Sequence, residues 1–392
     1  MFSRLGNAPR PRFTRLTLYL FLALVIFVLY FWQLGSLTKG LGLAETAAAN
    51  ASSSISVIID NPTYGPHKLL QYGFQKVFGH GPLQIRLSSA IFSLLFLLCF
   101  YVLIKGWFGR LIGVSALLFL AATPWFIQLA RHGSPEVLLF SPLAILATYY
   151  WLTRSKTWIA WLCLLVAGSL VLYVPGGLLL ILLGLIFGRR NLAKTMGGFS
   201  PIRKMLGALL VLVLLAPLIY GTFKNPSILK PLLLIPATWP SPLVGLKTAA
   251  WDILALFWRT PVHIDQIIER LPIFNAAQVA LAVFGSFALY KLARGKLYLL
   301  LGLSVFGIVA AALNRNLLLL SYVLPAVAVA VAAGLRYLYM EWKSIFPKNP
   351  IPKYLAVALI TGLVGMHIAY GLRYSLLAWP NTAATKSTYV LK

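Results

Sequence analysis

Acidic residues are scarce in this chain: 392 residues carry seven Asp and Glu against 34 Lys and Arg, for a net charge of +27. Charge of either sign is itself sparse, at 10% of the chain, whereas 60% is hydrophobic. A soluble domain of this size needs a polar shell of roughly a quarter charged residues, so a water-soluble globule is excluded. Cysteine is nearly absent as well. Cys99 and Cys163 both fall inside apolar runs without metal-ligand spacing, which fits buried small side chains and says nothing about redox compartment. The apolar runs are also almost free of charged residues at mid-depth, which a transporter would need along its path.

What is present is length of apolar sequence. Uncharged runs recur at 16–34, 87–104, 111–130, 137–153, 205–223, 271–290, 297–313, 317–335 and 354–372. A helix crosses the hydrocarbon core with about 20 apolar residues, and most of these runs qualify. Between Lys156 and Arg189 the chain is uncharged, too long for one helix and short for two, with Tyr173-Val174-Pro175-Gly176-Gly177 at its middle. Pro and Gly-Gly suit a hairpin tip better than a helix interior, so two short spans are expected there. The fold class expected is an all-α integral membrane protein with about eleven transmembrane helices.

The cations lie between the spans, where they act as orientation signals, and this displaces nucleic acid as the reason for a pI near 10.3. Arg4, Arg10, Arg12 and Arg15 precede the first span and predict a cytoplasmic N-terminus; alternation then keeps the clusters at 105–110, 154–156, 189–204, 291–296 and 336–353 inside. Glu45, Asp60, Glu136, Asp252, Asp265 and Glu269 then fall outside and only Glu341 inside. The rule counts Lys and Arg, so this sorting of acids is independent of it. Ala47-Ala48-Ala49 resembles a signal-peptidase site, but the preceding apolar segment is too long for a signal peptide and many spans follow. The Asn50-Ala51-Ser52 sequon lies outside in this topology.

The organisation expected is one polytopic domain over 1–372, followed by a short outer tail at 373–392 without a separate soluble domain. Two outer loops exceed what connection requires, at 35–85 and 224–270. In the first, a helix begins near Glu45, a turn-rich break runs from Asp60 to Lys68, and an amphipathic stretch covers Leu69 to Phe78. The second scatters Pro226, Pro231, Pro236, Pro240, Pro242 and Pro261 among Trp239, Trp251 and Trp258, a pattern of short interfacial helices.

An ordered set of short motifs runs through these segments: Gly42-Leu43-Ala44-Glu45, Asn61-Pro62 through Pro66-His67-Lys68, Phe78-Gly79, and Arg86-Leu87-Ser88-Ser89. Tyr101 then leads to Gly106-Trp107-Phe108-Gly109-Arg110; Thr123-Pro124-Trp125-Phe126 leads to Arg131 and Glu136; and Asn314-Arg315 precedes Ser321-Tyr322-Val323-Leu324-Pro325. In order and topology this resembles the GT-C superfamily of membrane glycosyltransferases, in the branch of the protein O-mannosyltransferases and the lipid A aminoarabinose transferase. The likeness covers about the first 150 residues and again 314–335. It departs where the family often shows Asp-Glu and this chain has Ala44-Glu45, and where a later aspartate is replaced by Glu136.

The resemblance implies an inverting glycosyltransferase that moves a sugar from a polyprenyl-phosphate donor to an acceptor glycan, lipid or protein on the outer face of the membrane. It implies Glu45 as catalytic carboxylate, with Glu136 and Asp60 as further acids. Arg131, Arg315 and Arg86 are the candidates for gripping the donor phosphate, since guanidinium pairs phosphate bidentately. Glu45 has no evident partner nearby in sequence; its nearest cations are Lys39 and Lys68. His67, His80, His132 and His263 share the outer side with Glu45, and His with carboxylate suits Zn or Mn, but no ligand spacing supports a metal. The rival reading is a membrane scaffold or lipid-binding protein that keeps the fold without transferase activity.

Overall fold

A computed structural model describes residues 12–38, 40–347 and 350–389; Arg4, Arg10 and Lys39 lie outside the described residues. Every regular element among these residues is helical. Helix α1 (Arg12–Tyr30) leads into the first outer loop, which carries α2 (Leu43–Ala51), α3 (Ile55–Asp60) and α4 (Gly65–Phe78). Then follow α5 (Pro82–Phe108), α6 (Arg110–Ala121), α7 (Pro124–Arg131), a 3₁₀ turn at Pro135–Phe140, and α8 (Pro142–Ser155). Helices α9 (Trp158–Val171) and α10 (Gly177–Gly197) take up the long uncharged stretch as a hairpin, as its Pro-Gly-Gly tip predicts. Gly176 at this tip has φ +78°, which favours glycine.

Helix α11 (Pro201–Lys224) opens the second outer loop, built from α12 (Leu229–Leu232) and α13 (Pro242–Phe257) with irregular chain to residue 275. Short pieces are what its prolines dictate. Helices α14 (Ala276–Leu292), α15 (Arg294–Asn314), α16 (Val323–Ile345) and α17 (Pro350–Leu372) follow, then π and 3₁₀ turns to Asn381 and α18 (Ala383–Thr388). Among the described residues, six helices are long and apolar enough to cross a membrane, or seven if one bent pair counts as a span.

That bent pair differs from the straight run expected at 111–130. Helices α6 and α7 meet at 67°. Pro124 lacks an amide donor and disfavours helical ψ in the residue before it; Thr123 accordingly sits at ψ 122°, its hydroxyl turned back onto the Phe119 carbonyl at 2.7 Å. The bend delivers Arg131, His132 and Gly133 to the acid-bearing end of the bundle.

Packing sorts the helices by depth. The apolar window of the span ending in α16 is 83% buried and that of α11 only 11% buried, so α16 is central and α11 faces lipid. Helix α16 crosses α14 at two glycines: a Cβ on Gly285 would stand 1.8 Å from the Ala330 carbonyl oxygen, and one on Gly334 2.1 Å from that of Leu281. Such small-residue contacts replace the hydrophobic driving force that lipid does not supply.

The two ends of the bundle differ in chemistry. At one end, Arg336 donates to the Phe108 carbonyl, Lys296 lies over Trp107, and Arg110 lies over Tyr19. At the other, the first outer loop docks on the α9–α10 tip: the Tyr64 amide donates to the Tyr173 carbonyl at 2.8 Å, and Tyr322 Oη donates to the Pro175 carbonyl. Glu45, Asp60, Glu136 and Asp265 all belong to this second end.

Candidate active site

The first turn of α2 places Glu45 at the third helical position, where its Oε2 accepts from the amide of the N-cap Gly42 at 3.1 Å. That bond back to the N-cap amide is one half of a capping box, and it orients the carboxylate inward. One turn into α5, Arg86 meets it as a fork: Nε to Oε1 at 2.7 Å and Nη2 to Oε2 at 2.9 Å. The remaining Arg86 donors are also engaged, by the Leu34 carbonyl, the Thr38 hydroxyl and the Gly40 carbonyl. The Gly133 amide adds a bond to Oε1 at 3.1 Å, and His132 Nδ1 stands 3.6 Å from the same oxygen. Both side chains of the pair are buried, at 5% and 1% exposure.

Burial would raise the Glu45 pKa, but the hydrogen bonds and charge of Arg86, with His132, outweigh it and hold the carboxyl well below its usual range. The sign follows: the folded state binds this proton more weakly than the unfolded chain. The stabilisation is therefore full above an unfolded Glu pKa of about 4.3 and is lost as pH falls below it.

A polar shell backs this pair. Gln71 accepts from Ser52 and donates to the carbonyls of Ile85 and Gly133, each at 2.8 Å. His67 Nε2 lies 2.8 Å from Ser89 Oγ, which donates to the Ser134 carbonyl; burial pushes this histidine down to about 3, so it is neutral. On the far side, His132 Nε2 donates to the Asp265 carbonyl at 2.7 Å, and Tyr389 Oη donates to Asp265 Oδ1 at 2.7 Å. The gap beside Glu45, Arg86, Arg131 and His132 holds about 10 Å³, room for one water at most.

The other expected residues are placed as follows. Glu136 opens the 3₁₀ turn after His132, half-buried, and its Oε2 is buried without a hydrogen-bond partner. Arg131 is buried and donates to the carbonyls of Leu29 and Trp32, closing the C-terminal end of α1. Asp60, exposed, pairs with Lys224. Arg315 is exposed at the end of α15 with φ +49°. The structure thus brings together Glu45, Arg86 and His132, with Arg131 beside them, and leaves Asp60 and Arg315 at other positions on this end. Among the described residues no three His, Cys, Asp or Glu side chains gather in a metal-binding group.

A cavity of about 400 Å³ opens between the two outer loops, lined by Asn61, Thr63, Tyr64 and Lys68 from the first and Asn225, Ser227, Ile228 and Pro231 from the second. Asp60 and Lys224 are the chain neighbours of Asn61 and Asn225 at its rim. Its cation, Lys68, is buried, donates to the Asn61 carbonyl at 2.7 Å, and is lowered by burial to about 8. Burial pushes the Tyr64 phenol well up, with the charge of Glu136 adding to the effect. Lys68 was not singled out from sequence; its signal was its place in Pro66-His67-Lys68, one of the few cations in the first loop.

Residues 66–220, less than half of the chain, match the family model described as dolichyl-phosphate-mannose-protein mannosyltransferase. No curated protein matches the chain in sequence. Among solved structures it is similar to ArnT from Cupriavidus metallidurans in the apo state, with 15% identity and a TM-score of 0.59 over 96% of this chain and 75% of that one. The same protein bound to undecaprenyl phosphate gives 15% identity and 0.58, covering 95% and 75%. The Archaeoglobus fulgidus oligosaccharyltransferase, tethered with an acceptor peptide, gives 16% and 0.58 over 97% of this chain; the chain spans 56% of that enzyme's length. At these identities the likeness is one of fold. The family match over 66–220 and the likeness in fold both run to glycosyltransferases, and the described helices include several long and apolar enough for a multi-pass membrane protein.

The buried pair makes a measurable demand on stability. Removing one partner leaves the other charge buried, a cost of about 3–5 kcal/mol. Glu45→Gln and Arg86→Gln should each lower the thermal stability of the purified protein strongly, and the double variant should cost clearly less than their sum. Additive losses in that double-mutant cycle would show that the pair is not coupled.

Proposed function

We propose that this protein transfers a sugar from a polyprenyl-phosphate donor to an acceptor hydroxyl or amide on the outer face of the membrane, with inversion. The observation that carries the reading is the cavity between the two outer loops with the buried cation of Lys68 in it. ArnT of the same fold binds undecaprenyl phosphate, which supports a lipid phosphate as the donor's leaving group here. In the displacement, the acceptor heteroatom gives its proton to a carboxylate and bonds to the anomeric carbon. The bond from that carbon to the phosphate oxygen breaks, and the lipid phosphate leaves with the electron pair, neutralised by Lys68. Arg315, exposed on the same end, is the second cation available to the phosphate.

Glu136 is the carboxylate we assign to the proton. Its Oε2 has no hydrogen-bond partner, and its charge acts on Tyr64, a residue of the cavity lining. An unpaired buried oxygen is costly and needs a reason, which an acceptor proton would supply. Glu45 and Arg86, saturated by protein donors and acceptors, and Arg131, committed to carbonyls, are assigned to holding the loops. Asp60 remains the rim acid, paired with Lys224. The rival, a lipid-binding scaffold without turnover, draws support from Ala44 and from the engagement of Glu45. Supplying purified protein with a labelled polyprenyl-phosphate sugar separates the two, since a scaffold binds the donor and neither transfers nor hydrolyses it. In the enzyme, Glu136→Gln should lower turnover by about 10² or more with donor binding kept within a few-fold. A variant turning over near the wild-type rate removes Glu136 from the chemistry.

Seven long spans, counting the bent pair, and four shorter apolar helices support a count of eleven spans, and the cations clustered at the opposite end of the bundle are the argument for an acid-bearing end outside. A cysteine at Thr46 should then react with an impermeant reagent on intact cells, and one at Ser155 should be protected. The reverse pattern inverts the orientation.

Lys68 supplies a pH signature. An ammonium with a pKa of about 8 is charged at neutral pH and loses its proton above that value. Donor affinity should weaken as pH rises through 8, and Lys68→Arg, which stays charged, should flatten that fall. A donor Kd independent of pH between 7 and about 9 in the wild type would take Lys68 off the phosphate.

A further inference from the structure

The second outer loop between α13 and α14 has little structure of its own. From Trp258 to Asn275 it forms turns and bends, with its ends tied by the Thr260 hydroxyl to the Leu271 carbonyl and by the amides of Ile273 and Phe274 to α13. Its middle is held from elsewhere. Trp379 Nε1 donates to the Ile264 carbonyl at 2.8 Å, Tyr389 Oη to Asp265 Oδ1 at 2.7 Å, and the Ile268 amide to Tyr374 Oη at 2.7 Å. All three aromatic residues come from the segment after α17, and all are buried, Tyr389 at 3% and Trp379 at 4%.

The same rings close on the first-loop cluster. Trp379 meets the His132 ring edge-on at 5.5 Å, and Tyr389 packs against Trp379 at 5.4 Å. Tyr389 also covers the N-cap of α2: a Cβ on Gly42 would come within 2.8 Å of its Oη and Cζ. His132 completes the circuit through its bond to the Asp265 carbonyl and its approach to Glu45. Burial and the charges of Asp265 and Glu45 raise the Tyr389 phenol far above its ordinary range, which keeps it a donor.

We propose that Tyr389 and Trp379 are positioning residues: they clasp residues 264–268 of the second outer loop onto His132 and the start of α2, so that both loops present the cavity as one rigid body. Neither is among the residues that line the cavity between the loops, and Trp379 lines the smaller gap beside Glu45. The kinetic part of this proposal rests on the transferase reading above; the structural part does not.

The test is Tyr389→Phe and, independently, Trp379→Phe, each read by two measurements on purified full-length protein. Tyr389→Phe keeps the six-membered ring and removes the hydroxyl that holds Asp265 and approaches His132; Trp379→Phe removes the indole N–H that holds Ile264 together with part of the ring. The exposed Arg259 and Arg270 flank the loop, so limited trypsin digestion reports its mobility. Cleavage at these two sites should quicken several-fold in each variant, with cleavage elsewhere unchanged. Turnover should fall about tenfold or more with the donor KM within about twofold, since small displacements of a positioned site cost rate before affinity. Unchanged cleavage at Arg259 and Arg270 would overturn the clasp. Faster cleavage with unchanged turnover would overturn the positioning role. If the wild type shows no turnover at all, the transferase reading fails and the cleavage result alone decides the clasp.

Discussion

The buried fork between Glu45 and Arg86 is the contact on which the acid-bearing end of this protein depends. It joins the first turn of α2 to the second turn of α5, 41 residues apart, and recruits Leu34, Thr38, Gly40 and Gly133 through the leftover donors and acceptors. An ion pair of this depth gains little net energy, because desolvation offsets most of its attraction. What it provides is geometry. A carboxylate that must satisfy a guanidinium and two amides in one place admits few arrangements of the loops around it, and any that break the pair leave a charge buried.

From that fixed point the rest follows by packing. The bend at Thr123–Pro124 aims His132 and Gly133 at the pair, and His132 passes the connection to Asp265 in the second outer loop. The α9–α10 tip supports the first loop from the other side through Tyr173 and Tyr64. The cavity lies where the two loops face each other across Asn61 and Asn225, with Lys68 as its cation. Acids and cations therefore differ in how they are engaged: Glu45, Arg86 and Arg131 are held by protein partners, Lys68 lines the cavity, and Glu136 keeps one oxygen without a hydrogen bond.

Much of the fold was legible in the sequence because membrane helices obey local rules. Apolar length marked most spans, Pro175-Gly176-Gly177 marked the hairpin, and the prolines after Asn225 forbade a straight helix. The bend at Pro124 was harder to read, because the apolar run continues through it and only the proline's missing amide breaks it. The site was legible in composition and not in pairing. Glu45 was visible as a rare acid, yet its neighbours in sequence, Lys39 and Lys68, gave no hint of Arg86. Nothing local distinguishes an arginine that grips a phosphate from Arg131, which caps the carbonyls of a neighbouring helix. Tyr389 carries no motif at all; its role exists only through contacts with residues 124 and 257 positions away.

The central claim is that Glu45 organises the site and does not take the acceptor's proton. It is tested most directly by measuring, on one preparation of Glu45→Gln, both the folded fraction and the sugar-transfer rate per folded molecule. An organising role predicts a protein that is strongly destabilised but turns over within about tenfold of wild type once folded, because the base is elsewhere. A variant of near-normal stability whose folded molecules are slower by about 10² or more would contradict it and return the proton to Glu45.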